Sequence, residues 1–297
     1  MAVNPQVRDF LTSRRARVTP EMAGLPAYGG NRRVAGLRRE EVAMLSGMSV
    51  DYYNRLERGN LAGVSDSVLD AIGRTLQLDE AELAHLHDLA RAANTTATKR
   101  RRTSPAQIRP AVVRLVEAMT DVPAWIRNDR HDILAINRLG AALYAPVLLD
   151  PRRPANTARF AFLDPAAHDF FGDWDKVASD VVAILRSAAG RNPYDRDLTD
   201  LVGELSTRSE EFRTRWAAHD VRFHRTGRKT LRHPVVGELD LEFEAMSLTS
   251  EPDLTFIAYT AEPGSTTADA LRVLASWAAT QDREQAADQV LSTPAGD

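Results

Sequence analysis

The sequence has no cysteine among its 297 residues, which excludes disulfide bonds and metal sites with thiolate ligands. It also has no apolar run that approaches the roughly 18 residues of a membrane-spanning helix, and its beginning, MAVNPQVRDF, lacks the apolar core of a signal peptide. Hydrophobic residues at 43% and charged residues at 27% are typical of a folded globular protein. These features predict a cytoplasmic protein with no membrane association.

A formal net charge of -3 conceals an unequal distribution of charge along the chain. Residues 1–110 carry 17 Lys and Arg against 12 Asp and Glu, whereas the remaining residues carry 21 against 29. A basic first third followed by an acidic remainder indicates that only the first third binds a polyanion. The alternative at this point is an incidental difference between two domains.

The domain boundary is predicted within NTTATKRRRTSPAQIRP, residues 94–110, a polar segment that contains the basic run KRRR. The predicted organisation is a helical domain over residues 1–93, a basic linker over 94–110, a second domain over 111–280 and a flexible tail over 281–297. The KRRR run is either a solvated tether or a further contact to the polyanion.

The first domain is predicted to be all-α, because its apolar residues recur at spacings of three and four and no alternating segment interrupts them. Five helices are expected, at about residues 5–17, 37–46, 49–58, 65–76 and 80–93.

The second domain is predicted to be α+β with a small antiparallel sheet. WIRND and HDILAIN read as a hairpin, and GELDLEFEAM alternates strictly, which is typical of a strand with one solvated face in a sheet covered on one side only. LTFIAYT is its expected partner, and a long helix is expected to begin after Asp164 and Pro165, because Asp caps free N–H groups and Pro fits a first helical turn.

The segment LRREEVAMLSGMSVDYYNRLERG, residues 37–59, predicts a helix-turn-helix. Gly47 would take the left-handed conformation of a tight turn, and Ser49 would cap the following helix. Tyr53 and Leu56 then face the core. In this motif the second helix lies in the DNA major groove.

The outward positions of that helix and the arginines before it are the expected DNA contacts. Arg can read guanine bidentately, Asn can read adenine and Val can touch the thymine methyl group, whereas Asp51 is expected to cap locally. Arg38 and Arg39 begin the preceding helix, where a phosphate is favoured, or else they pair with Glu40 and Glu41. The candidates are Arg32, Arg33, Arg38, Arg39, Ser49, Val50, Asp51, Tyr52, Asn54 and Arg55.

The motif REEVAMLSGMSVDYYNRLERG resembles the helix-turn-helix of the XRE family of bacterial transcriptional regulators. GGNRRVAGLRREEVA, WAAHDVRFHRTGRKTLRHPVVGELDLEFEAM and YTAEPGS are similar to the MmyB-like regulators within that family. The resemblance implies a lambda-repressor-like first domain and a PAS-like second domain that binds a ligand, with a fatty acid as the suggested class. It departs from many relatives at Val50, where they have Gln.

A fatty-acid pocket needs apolar walls and a donor for the carboxylate, because an unpaired buried charge is costly. The candidate ligand-binding residues are Trp125, Trp174, Phe212, Arg213, Trp216, His219, Arg222, His233 and Phe243, with Arg215 as a further donor. For any one aromatic residue the alternative is an ordinary core position, and for any one arginine it is a surface ion pair.

No catalytic motif is present where a strand leads into a helix, and the histidines lack the spacing of metal ligands. We therefore expect no enzyme activity, no metal and no cofactor beyond a bound fatty acid. The expected function is sequence-specific regulation of transcription by a homodimer that binds a double-stranded DNA operator and senses an apolar small molecule. The alternative is a second domain that serves only protein interaction or dimerisation. Repression and activation both remain open.

Overall fold

The computed structural model describes residues 4–26, 34–94, 108–218 and 226–292. Its internal contacts divide the chain into two units: Met1–Arg102 with Val182–Phe223, and Thr103–Val181 with His224–Asp297. The first unit thus combines the amino-terminal helices with a segment that the sequence prediction assigns to the second domain. Within the described residues, no helix is long and apolar enough to cross a membrane.

The amino-terminal region is all-α, as predicted. Its helices are α1 (Pro5–Arg17), α2 (Arg39–Leu45), α3 (Val50–Glu57), α4 (Asp66–Thr75) and α5 (Glu80–Asn94). They enclose one apolar core to which α1 contributes Phe10 and Leu11, α3 contributes Tyr53 and Leu56, and α5 contributes Leu86. All five of these side chains are fully buried, so burial of one face of each helix stabilises the domain.

The rest of the chain is α+β, also as predicted. Its elements are α6 (Pro110–Ala118), β1 (Ala124–Asn128), β2 (Ile133–Ile136), α7 (Arg138–Leu143), α8 (Ala145–Leu148), α9 (Thr157–Leu163), α10 (Ala166–Phe170), α11 (Trp174–Arg191), α12 (Arg196–Arg208), α13 (Glu210–Ala217), β3 (Thr226–His233), β4 (Gly237–Leu248), β5 (Glu251–Thr260) and α14 (Thr266–Ser292). The strands of the described residues form one antiparallel sheet in the order β2-β1-β5-β4-β3.

The helix expected after Asp164 and Pro165 is two helices. The chain leaves α10 at Phe171, whose backbone bridges to Leu231, and the Gly172 N–H donates to the Thr230 carbonyl oxygen at 2.9 Å. These contacts tie the residues between α10 and α11 to strand β3. Apolar periodicity could not reveal the break, because it continues through both helices.

The alternation of β4 predicts a sheet that is covered on one face only. The structure differs from this prediction, because part of the second face is also covered. The outward side chains of β3 and β4 are solvated, whereas Ile126 of β1 and Leu254 and Phe256 of β5 form a second core with Val112 and Val116 of α6. The far face is therefore wet at β3 and β4 and covered at β1 and β5. The closing helix α14 continues to Ser292, into the segment that the sequence prediction assigns to a tail.

Candidate DNA-binding face and ligand cavities

The turn between α2 and α3 has the predicted geometry. Gly47 lies in the left-handed region at φ 66°, and the Ser49 side chain accepts a hydrogen bond from the Tyr52 N–H at 3.2 Å. The cap defines where α3 begins. Tyr53 and Leu56 face the core, as expected.

The opposite side of α3 is exposed at three of the predicted contact positions, Val50, Asp51 and Arg55. The Arg55 guanidinium lies 4.9 Å above the Tyr52 ring, so the two candidates form one stacked pair. Asn54 differs from the expectation, because it is half-buried and its Oδ1 is enclosed. The stacked pair, together with Val50, is therefore the more accessible part of this face.

A buried carboxylate anchors the end of α3, a role that sequence reasoning missed. Glu57 is 1% exposed and accepts hydrogen bonds from Arg15 Nε and Nη2 of α1, each at 2.9 Å, and from Arg39 Nε of α2 at 3.0 Å. Burial by itself would raise the pKa of Glu57, but the hydrogen bonds and charges of Arg15 and Arg39 outweigh it and leave the pKa below its ordinary value. Three helices therefore meet at one carboxylate.

This network revises the expectation for the arginines of α2. Arg39 pairs with Glu57, rather than with Glu40 or Glu41, although half of its side chain remains exposed. Arg38 is also about half exposed, and its Nη1 lies 3.4 Å from Glu40. Both side chains retain exposed surface for a phosphate.

The structure also explains the glycine that ends the motif, Gly59. Gly59 has φ 100°, and a Cβ at this position would lie 2.4 Å from the Asn4 carbonyl oxygen. Only glycine permits both this conformation and the close approach to the start of α1. Arg32, Arg33 and the KRRR run lie outside the described residues.

Trp125 and Phe243 belong to one aromatic cluster on the inner face of the sheet. Trp125 stacks on Tyr259 with ring centroids 4.9 Å apart and packs against Tyr144 at 4.3 Å, and Phe243 lies 5.9 Å from Tyr259. The buried Tyr144 and Tyr259 hydroxyls are hydrogen-bonded to each other at 2.8 Å. Burial is the main cause that raises the pKa of Tyr144 well above its ordinary value.

The other aromatic candidates lie in separate clusters. Trp174 stacks on His168 at 4.1 Å, and its indole N–H donates to the Ala161 carbonyl oxygen at 2.8 Å. Phe212 and Trp216 belong to the first unit, where they stack on each other at 5.5 Å. The aromatic candidates therefore do not all line one pocket of the second unit.

The basic candidates also fall mainly in the first unit. The Trp216 ring lies 4.1 Å from the guanidinium of the buried Arg186. Arg213 is exposed, and Arg215 lies 3.6 Å from Glu211. His219 and Arg222 lie outside the described residues.

His233 is occupied by the protein itself. It is 3% exposed, its Nε2 donates to the Ala142 carbonyl oxygen at 3.0 Å, and its Nδ1 accepts from the Val235 N–H at 3.2 Å. Burial lowers the pKa of His233, which favours the neutral ring that this arrangement requires. Both ring nitrogens are hydrogen-bonded within the protein, so the neutral His233 ring offers no further N–H to a ligand carboxylate, contrary to the expectation.

The second unit has an open groove of about 590 Å³ and a smaller cavity of about 120 Å³. The groove is lined by Asp121, Val122, Leu139, Tyr259, Thr260, Ala261, Pro263, Gly264, Ala268, Leu271, Arg272 and Ala275. The small cavity is lined by Asp173, Lys176, Val177, Asp180, Arg228, Lys229, Thr230 and Phe243. Of the candidate ligand-binding residues given above, Phe243 lines the small cavity. Lys229 was missed, although the alternation of GRKTLRH could have placed it on the inner face.

The amino-terminal helices and the capped turn before α3 define a helix-turn-helix DNA-binding domain, and a helix-turn-helix family description matches residues 7–86. The family described as "MmyB-like transcription regulator ligand binding domain" matches residues 108–274, more than half of the chain. The chain therefore belongs to the MmyB-like transcription regulators, as its motifs indicated. No curated protein matches the chain. Among the described residues, no cluster of three or more His, Cys, Asp or Glu could hold a metal ion.

Proposed function

We propose that the protein is a sequence-specific transcription regulator that binds its operator as a homodimer and responds to an apolar small molecule of the fatty-acid class. DNA recognition is assigned to α3, and the ligand is assigned to the second unit. Because one short recognition helix reads few base pairs, two copies on half-sites one helical turn apart would provide the specificity.

The exposed side of α3 carries the DNA-binding part of this proposal. Arg55 stacks on Tyr52, and the neighbouring Val50 is 43% exposed, so a guanidinium and an apolar surface are available to base edges. Arg38 and Arg39 add positive charge at the start of α2. Phosphate contacts by such arginines would orient the domain, whereas α3 would read the sequence.

The open groove of the second unit carries the ligand part. Its volume of about 590 Å³ falls within the roughly 300–1,000 Å³ of small-molecule sites, and most of its lining side chains are apolar. Asp121 and Arg272 are its charged residues. Such a surface suits an acyl chain better than a polar metabolite.

Helix α11 is the proposed route from ligand to DNA affinity. Its residues up to Val181 group with the second unit and those from Val182 with the first. Lys176, Val177 and Asp180 of α11 line the small cavity of the second unit. In the first unit, Gly190 of α11 lies against His85 of the helix-turn-helix domain. A ligand that favours one position of α11 would thereby change the population of the DNA-binding state.

Two measurements test the proposal. Selection of operator sequences with the purified protein should yield a palindromic site protected over two half-sites. Native mass spectrometry of protein purified from its own host should then show a co-purifying apolar molecule. Failure to enrich any sequence over random DNA would contradict the DNA-binding assignment.

A second candidate function for the second unit is association with another protein chain, without a small ligand. Val273 and Trp277 of α14 are 58% and 36% exposed and, four residues apart, they lie on the same face of the helix. The substitution Trp277→Ser should abolish dimers if this face pairs two copies, as sedimentation equilibrium would show. Persistence of the dimer would assign the association to another surface.

A further inference from the structure

The inner face of the sheet is mostly apolar, and within the described residues of strands β3 and β4 it carries one ammonium group, that of Lys229 near the sheet edge. Lys229 of β3 pairs in register with Leu241 of β4, and Gly227 pairs with Phe243. Residues directly opposite each other share a face of the sheet, so Lys229 lies on the side of the aromatic cluster. Its Nζ is 5.5, 5.8 and 5.9 Å from the ring centroids of Phe243, Phe171 and Tyr259, respectively.

Lys229 has no carboxylate within ion-pair distance among the described residues. The two neighbours of Lys229 on β3 have acidic partners on the solvated face of the sheet. Arg228 pairs with Glu242 at 2.9 Å, and the Thr230 hydroxyl donates a hydrogen bond to Asp240 at 2.6 Å. The aromatic rings attract the ammonium, but they provide no counter-ion and exclude water from one side of it. A half-buried cation at the wall of a cavity is suited to bind an anion.

The second ammonium of the same cavity differs in its contacts. Lys176 is exposed and donates to the Arg228 carbonyl oxygen at 3.4 Å. Asp173 and Asp180 also line the cavity, and Asp173 accepts a hydrogen bond from the backbone N–H of Lys176 and caps the start of α11. Lys229 is therefore the ammonium that faces the aromatic cluster.

We propose that Lys229 binds the carboxylate of an organic acid whose apolar part packs on the rings of Phe243, Phe171 and Tyr259. The cavity of about 120 Å³ is too small for a whole acyl chain, but it can hold a headgroup with the first few carbons of the chain. Tyr259 lines the larger groove, and its ring centroid lies 5.9 Å from the Lys229 ammonium, so this ring lies between the groove and the Lys229 side chain. This inference rests on the proposed ligand-sensing function and specifies its chemistry, since a neutral ligand would gain less from Lys229 than a carboxylate does.

The test compares dodecanoate with 1-dodecanol, two probes that share a chain and differ in the charge of the headgroup. Isothermal titration calorimetry on the full-length protein should give tighter binding of dodecanoate by about tenfold or more, which is the scale of a charge-assisted hydrogen bond. Lys229→Met should remove this preference, and Lys229→Arg should restore most of it. Lys176→Met is the matched control, since it deletes an ammonium from the same cavity and should retain the preference.

The outcomes separate the two proposals. If the unsubstituted protein binds both probes equally and Lys229→Met changes nothing, the assignment to Lys229 is wrong while ligand sensing stands. An equal loss of preference in Lys176→Met would also overturn it, because the charge of the cavity as a whole would then be responsible. If neither probe binds, the ligand-sensing function itself fails. Circular dichroism of each variant verifies the fold, and the arginine variant keeps the test valid if the methionine variant unfolds.

Discussion

The guanidinium of Arg15 in α1 holds the carboxylate of Glu57 at the end of α3 through two hydrogen bonds of 2.9 Å. Arg39 of α2 binds the same carboxylate at 3.0 Å. A negative charge at a helix carboxyl end is disfavoured by the helix dipole, so these arginines offset a local cost. The consequence is that the orientation of α3, the proposed recognition helix, depends on a residue that faces the protein interior.

Glu57→Met should therefore destabilise the first unit by about 3 kcal/mol, because it leaves Arg15 without its partner in a largely buried position. Urea unfolding followed by circular dichroism measures this difference. Asp51→Ala, a change at an exposed carboxylate of the same helix, is the control and should alter stability little. Equal effects of the two substitutions would mean that the Glu57 contacts contribute nothing specific.

The pKa of Glu57 predicts how this contribution depends on pH. Its folded-state pKa lies below the ordinary value of 4.5, so the unfolded state binds the proton more readily. The stabilisation is thus complete above about pH 4.5 and is lost as the pH falls through the folded-state pKa. Between pH 6 and pH 3 the unsubstituted protein should lose more stability than Glu57→Gln, and parallel profiles would contradict this.

Arg55→Ala should weaken binding to the selected operator by about 1–3 kcal/mol if Arg55 reads a base bidentately. Binding to random DNA should fall much less. Arg91→Ala removes the same charge from an exposed position of α5, where Arg91 pairs with Asp88, and it controls for overall charge. Fluorescence anisotropy with both DNAs measures the effect. An equal loss on operator and random DNA would make Arg55 a phosphate contact.

Gly190→Ala should destabilise the first unit, because the added Cβ would lie 2.5 Å from Cε1 of His85. His85 cannot easily yield, since it is buried and its ring packs against Phe10 at 5.1 Å. The expected cost is about 1–3 kcal/mol in thermal or urea unfolding. Gly203→Ala is the matched control, because nothing lies within 4 Å of its added Cβ, and better helix propensity should stabilise α12 by about 0.5–1 kcal/mol. If both substitutions changed the free energy of unfolding in the same direction, the packing of α11 against α5 would be refuted.

His233 predicts a second pH dependence, now in the second unit. Its folded-state pKa is lowered from 6.5 by burial, so the neutral ring stabilises the fold fully above about pH 6.5 and this stabilisation is lost as the pH falls through the folded-state pKa. His233→Gln removes the titrating group while it keeps an N–H donor. The stability difference between the two proteins should therefore shrink from pH 7.5 to pH 5.5. A constant difference would show that His233 does not titrate in this way.

Local signals predicted the helix-turn-helix well. Gly47, Ser49 and the apolar positions of α3 are close in sequence, so spacing alone relates them to a turn, a cap and a buried face. The Glu57 network escaped this reasoning because Arg15 lies 42 positions away along the chain. The motif contained the residue but not its partners.

For the ligand-binding domain, the sequence predicted the α+β class but not how its elements pack. Alternation placed the strands, but it could not show that α6 covers part of the far face, or that a short bridge to β3 divides α10 from α11. The aromatic candidates were grouped by residue type, whereas the structure distributes Trp125 and Trp216 to different units. Alternation in GRKTLRH could have placed Lys229 on the inner face, but its position beside Phe243 follows only from the register of β3 and β4.

A ligand in the second unit is proposed to change the operator affinity of the first. The most direct measurement of this change is the Kd for the selected operator with and without dodecanoate, with ligand occupancy verified by native mass spectrometry on the same sample. The account predicts a change of about 5- to 150-fold, the usual range of coupling between two sites, while the Kd for random DNA stays constant. An unchanged operator Kd on protein that carries the bound ligand would contradict the claim.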